Sequence, residues 1–151
     1  MKILGIDPGT GILGFGVVEV SAKGGLRMVT AGVITTPAHT PLEERLVEIY
    51  DGLTEIIAET KPDVMSIEKL FFAQNITTAI SVSHARGVAM LTGKQANLEI
   101  AEYTPLQIKQ TLTGYGRADK KQMQEMVKLQ LGLREVPKPD DAADALAAAI
   151  T

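Results

Sequence analysis

Ten residues near the start of the chain limit what it can fold into more than any others. Lys2 to Asp7 is a short apolar run that ends on an acid, and Pro8, Gly9 and Gly11 build a turn directly after it. A strand stops there and presents Asp7 at its tip. Alternation puts Ile3, Gly5 and Asp7 on one face, and Gly5, lacking a side chain, lets another element come close beside the acid. That arrangement suits a metal ligand or a phosphate contact. Taken alone, the stretch is better explained as turn chemistry, with Asp bonding its own backbone and Pro and Gly setting the dihedrals.

The remaining pattern predicts an α/β chain. Gly14 to Val20 and Leu26 to Thr35 read as two further strands joined across Lys23-Gly24-Gly25 as a hairpin. Pro37 and Pro41 break the pattern, after which Leu42, Leu46, Ile49, Leu53, Ile56 and Ile57 recur at helical spacing up to Lys61-Pro62. Asp63 to Lys69 is a fourth strand. It follows a helix, which favours parallel pairing, and its alternation puts Val64, Ser66 and Glu68 on one face. A long helix from Ile76 to about Ala96, a fifth strand from Leu98 to Tyr103, a helix opened by Thr104-Pro105, another over Gln122 to Leu133 and an alanine-rich last helix complete the order. With 151 residues and neither repeats nor low-complexity segments, one domain over 1–151 is expected.

Charge and composition narrow the chemistry. There is no cysteine and there are only two histidines, so a metal site must rest on carboxylates, which points to Mg²⁺ or Mn²⁺. The net charge of −3 argues against a nucleic-acid binder until its distribution is considered. The first helix carries Glu43, Glu44, Glu48, Asp51, Glu55 and Glu59 against Arg45 alone. Pro105 to Lys121 instead holds Lys109, Arg117, Lys120 and Lys121 against Asp119, around the flexible Thr113-Gly114-Tyr115-Gly116. The molecule is expected to be polarised. No basic-then-apolar leader opens the sequence and no apolar run reaches the length of a membrane span, so a cytoplasmic location without membrane contact is expected.

Acids recur where elements end. Asp7 and Glu68 lie at strand tips, and the last helix offers Asp144 with Asp141 at i,i+3 and Asp140 at i,i+4, surrounded by alanines. Spacing leaves Asp140 and Asp141 both open. If the first and fourth strands are neighbours, Asp7, Glu68, Asp144 and one of that pair converge. Carboxylates crowded in this way repel and raise one another's pKa unless cations neutralise them. Oxygen-only ligation suits Mg²⁺, and two such ions could activate water and stabilise the leaving oxygen at a phosphodiester.

Five segments together resemble the RuvC family of Holliday junction resolvases: Gly5-Ile6-Asp7-Pro8-Gly9-Thr10, Ser66 to Asn75, Ala85-Arg86-Gly87-Val88-Ala89, Ile108-Lys109-Gln110-Thr111 and Asp141 to Ala147. The resemblance runs end to end in the family's order. It implies an RNase H-like fold with a mixed five-stranded sheet, three antiparallel N-terminal strands followed by parallel ones, flanked by helices. It also implies a homodimer and metal-dependent, symmetric nicking of a four-way DNA junction, with a branch-migration motor as partner. Carried over, Asp7, Glu68, Asp141 and Asp144 are the metal-binding catalytic acids. The DNA contacts fall on Phe71, Phe72, Asn75, Arg86, Lys109, Arg117 and Lys120. The family register favours Asp141 over Asp140, and Asp140, directly after Pro139, is sufficiently explained by the helix start. The acidic balance of the chain departs from this pattern and implies either weaker DNA affinity or more reliance on the dimer's groove. Two rival readings are a related nuclease acting on structured RNA and, from Asp7-Pro8-Gly9-Thr10, an actin-like phosphate-loop ATPase or kinase.

Overall fold

A computed structural model describes residues 1–70 and 76–151. Five strands, β1 (Lys2–Asp7), β2 (Ile12–Val20), β3 (Leu26–Thr35), β4 (Val64–Glu68) and β5 (Glu99–Tyr103), form one sheet in the order β3-β2-β1-β4-β5. The β1–β2 and β2–β3 pairs are antiparallel, whereas β1–β4 and β4–β5 are parallel. This is the mixed sheet expected from the sequence. β1 lies at its centre, so Asp7 leaves the middle of the sheet with a neighbouring strand on each side. The β2–β3 hairpin closes with Gly24 at φ 82°, in the left-handed region that favours glycine, and with the Ser21 N–H donating to the Gly25 carbonyl at 2.9 Å.

Two helices, α1 (Leu42–Thr60) and α2 (Ile76–Gln95), cover one face of the sheet. The other face carries α3 (Pro105–Thr113), α4 (Lys120–Gln130) and α5 (Asp140–Ile150). Thr104 and Asp119 cap α3 and α4 through reciprocal bonds with Gln107 and Gln122. The Asp119 cap starts α4 at Lys120, two residues before the apolar period alone suggests. Gly132, at φ 63°, ends it before Leu133. Among the described residues, no helix is long and apolar enough to cross a membrane.

Alternation along the strands gives the two faces different contents. Leu4, Ile6, Val17, Met65 and Ile67 are fully buried toward α1 and α2, where they meet Ile49 and Leu53. Each such side chain contributes about 1.5–3 kcal/mol by leaving water. On the opposite face the same strands present Gly5 and Ser66 to Ala145, Ala148 and Ala149 of α5, Gly14 to Asp141 and Gly16 to Leu146. The consequence is a helix laid almost directly on the sheet backbone.

Candidate active site

The parallel register pairs Gly5 with Ser66 and Ile6 with Ile67. Asp7 and Glu68 are therefore the next residues at the ends of adjacent strands, on one face, with the strands about 4.8 Å apart. Asp7 also stands opposite Gly14 across the antiparallel ladder. A Cβ on Gly14 would lie 2.0 Å from the Asp141 carbonyl oxygen, and one on Gly5 would lie 1.9 Å from the Ala145 carbonyl oxygen. Ser66 Oγ donates to the Ala148 carbonyl at 2.6 Å. These contacts seat α5 against β1, β2 and β4, with its first turn beside Asp7.

The Asp7 carboxyl faces that of Asp141. Burial, and then the charges of Asp144, Glu68 and Asp141, push Asp7 up to about 8. Glu68 is raised by burial and by Asp144, with Lys109 partly offsetting them. Asp144 is raised by burial and by Asp141 and Asp140, with Lys120 opposing. Four acids thus act on one another at one end of the sheet, and burial with mutual repulsion makes the fully ionised cluster unfavourable without a cation. Among the described residues no three of these side chains form a ready-made coordination shell. The donor set nevertheless fits a hard divalent cation: it is all oxygen, and it is ionisable only at a cost that a cation would remove.

Asp140 behaves differently from Asp141. It is exposed, pairs with Lys120 at 3.2 Å and accepts from Gln124 Nε2 at 3.1 Å. Lys120 Nζ also lies 3.9 Å from Asp144. Two open hollows flank Glu68. One, of about 240 Å³, is lined by Asp7, Pro8, Glu68, Lys69 and Arg86; the other, of about 290 Å³, by Glu68, Lys109, Lys120, Met123 and Asp144. Lys109 and Lys120 thus border the acids directly. Arg117 is exposed between α3 and α4 and lines neither hollow. Arg86 is largely covered and is engaged by protein partners. Phe71, Phe72 and Asn75 lie outside the described residues.

Sequence reasoning missed three supports of the site. Gly14 and Gly16 share the close-approach role given to Gly5 alone; their period-two spacing in Ile12-Leu13-Gly14-Phe15-Gly16 was the available signal. The turn after Asp7 is fastened by side chains from distant elements. Thr10 Oγ1 donates to the Ser81 carbonyl at 2.7 Å, Thr36 Oγ1 to the Thr10 carbonyl at 2.6 Å, and Arg45 Nε to Thr36 Oγ1 at 2.8 Å. The Lys120–Asp140 pair is the third. No local pattern marks either of the last two, since their partners are far apart in sequence.

Residues 3–151 match the family model described as crossover junction endodeoxyribonuclease RuvC. The crossover junction endodeoxyribonuclease RuvC of Chloroflexus aurantiacus is 54% identical over 150 residues, 99% of this chain and 91% of that protein. That of Desulfitobacterium hafniense is 55% identical over 152 residues, 99% and 90% of the two chains. A structure of Thermus thermophilus RuvC in complex with a Holliday junction substrate superposes with a TM-score of 0.94 at 35% identity, covering 99% of this chain and 91% of that one. The yeast mitochondrial Holliday junction resolvase shares the fold, with a TM-score of 0.67 at 13% identity over 98% and 75% of the two chains. A sheet in the order β3-β2-β1-β4-β5, four acids gathered at its end and this likeness over nearly the whole length make the chain a member of the RuvC family of crossover junction endodeoxyribonucleases.

Proposed function

We propose that this protein resolves four-way DNA junctions by hydrolysing a phosphodiester in each of two opposed strands, as one nuclease domain over 1–151. The observation that carries the reading is the gathering of Asp7, Glu68, Asp141 and Asp144 at one sheet end, with Asp7 pushed up to about 8 by its burial and its neighbours. Those four carboxylates would hold divalent metal, Mg²⁺ or Mn²⁺, in two ions per site. The chemistry such ions would supply there is activation of water and neutralisation of charge at the scissile phosphate. Asp7 and Glu68 fix the strand side of the site and Asp141 and Asp144 the helix side. Lys109 and Lys120, beside the hollow under Glu68, attract the phosphate backbone. Exposed Arg117 extends this basic border, and Phe71, Phe72 and Asn75 are assigned to the junction by family register.

Two equivalent strands call for two equivalent sites, which an isologous dimer provides. Exposed Ile80 and Leu91 on α2 support that helix as the dimer face. A branch-migration motor as partner and a cytoplasmic location complete the proposal. The test is cleavage of a four-way junction, linear duplex DNA and structured RNA in Mg²⁺ or Mn²⁺. Paired, symmetric nicks in the junction alone are expected; preferential cleavage of the RNA would move the protein to the rival nuclease reading.

A further inference from the structure

Arg86 leaves α2 and ends under the carboxyl end of β4. Its Nε donates to the Glu68 backbone carbonyl at 3.1 Å, its Nη2 pairs with Glu102 on β5, and its Nη1 lies 3.3 Å from Met90 Sδ. The side chain is only 17% exposed. Three elements, α2, β4 and β5, therefore meet on one guanidinium, whose fork can serve acceptors in divergent directions as an ammonium cannot. A phosphate contact would instead need donors free on the surface. The last residue of β4 is where such a clip matters, because Glu68 closes the β4–β5 ladder opposite Tyr103. Strand ends open most easily, and this one carries a carboxylate beside Asp144 and Asp7.

We infer that Arg86 is a positioning residue for Glu68: by holding the Glu68 carbonyl and tying it to Glu102, it fixes the direction in which the carboxylate leaves the strand. The inference rests on the reading of Glu68 as a catalytic acid. Arg86 thus acts through Glu68, from the wall of the hollow that Glu68 shares with Asp7.

The experiment compares wild type, Arg86→Lys, Arg86→Gln and Glu102→Gln. Junction affinity is read against salt in EDTA, single-turnover cleavage against Mg²⁺ concentration, and amide hydrogen exchange without DNA. Arg86→Lys keeps the charge and loses the fork. It is expected to bind the junction with wild-type affinity and salt slope, to cleave about tenfold more slowly or worse at saturating DNA, and to need more Mg²⁺. Exchange should speed up at Glu68 and Lys69 and stay unchanged in β1. Glu102→Gln should show a smaller loss of the same kind. Wild-type cleavage by Arg86→Lys, together with weaker binding and a shallower salt slope in Arg86→Gln, would make Arg86 a phosphate contact and overturn the inference. A rate loss fully accounted for by the unfolded fraction in thermal melts would overturn it too. The exchange readout stands apart from catalysis: if wild type fails to cleave any junction the functional reading falls, while unchanged exchange at Glu68 in the variants sinks the positioning role by itself.

Discussion

The two faces of the sheet are made by the same strands and solve opposite problems. Toward α1 and α2, Leu4, Ile6, Val17, Met65 and Ile67 interpose a full layer of large side chains. Toward α5, Gly5 and Gly14 bring strand backbone against helix backbone, and Gly16 makes room for the Leu146 side chain. The first face buries apolar volume and supplies stability. The second gives up volume for proximity, and its product is a cluster of acids that burial and mutual repulsion make unfavourable when all are ionised. Both faces carry a buried core, since Val18, Ile108, Leu112, Val127 and Leu146 pack together on the α5 side; the difference lies where the strands meet α5, and there close approach brings Asp7, Glu68, Asp141 and Asp144 together.

The comparison breaks most completely at Asp7. Asp7→Asn should abolish junction cleavage while junction binding persists, because affinity comes mainly from Lys and Arg; parallel gel-shift and cleavage assays check this. Asp141→Asn should lower the metal-dependent rate by orders of magnitude at unchanged affinity. Asp140→Asn should stay within a few-fold of wild type, since Asp140 is an exposed partner of Lys120 and such pairs are worth about 0–1 kcal/mol. A dead Asp140→Asn with an active Asp141→Asn would mean that the working helix acid is the i,i+4 one.

Adding volume to the α5 face is the next break. Gly5→Ala places a methyl group 1.9 Å from the Ala145 carbonyl oxygen, so α5 must move or the protein must unfold. Overpacking of this kind costs about 1–3 kcal/mol. The folded fraction, measured by thermal melting, should retain less than about a tenth of the cleavage rate, because both helix acids move with α5. Leu53→Ala on the opposite face sharpens the contrast: it should cost about 2–5 kcal/mol in denaturant unfolding and leave the rate per folded molecule unchanged.

The last contrast concerns pH. Asp7 ionises near 3.8 when unfolded and near 8 when folded. Above about pH 4 the unfolded chain gives up that proton more readily than the folded one. In the metal-free protein the stability contributed by this group is therefore fully present below that point and is lost as pH rises toward about 8, by at most about 1.4 kcal/mol per pH unit, less after solvent screening. Glu68 and Asp144, also raised, act in the same direction. Denaturant unfolding in EDTA across this range should show the slope, and Asp7→Asn should flatten it.

The strands and the directions of their connections were legible in the sequence, from period-two runs, a short hairpin and helices placed between the later strands, whereas the adjacency of β1 and β4 is a tertiary fact that no stretch records. The tips bearing Asp7 and Glu68 were legible for the same reason. Element ends were less so: α4 starts early because Asp119 and Gln122 cap each other, a local contact stronger than the apolar period. Asp140 and Asp141 were inseparable by spacing, and the structure divides them by what each faces, Lys120 and Gln124 for one and Asp7 for the other. Arg86 sits in a motif of the kind that marks a DNA contact, but the chain uses its guanidinium across three elements. Such roles depend on tertiary neighbours, and no single stretch of sequence records them.

Calorimetric titration of the metal-free protein with Mn²⁺ at pH 7, repeated in buffers of different ionisation enthalpy, tests the crowded-acid site most directly. A carboxyl held near 8 must lose its proton when a cation takes its place. The account predicts release of about one proton per site on metal binding, and loss of that release in Asp7→Asn. Metal binding with no proton release from the wild-type protein would contradict it.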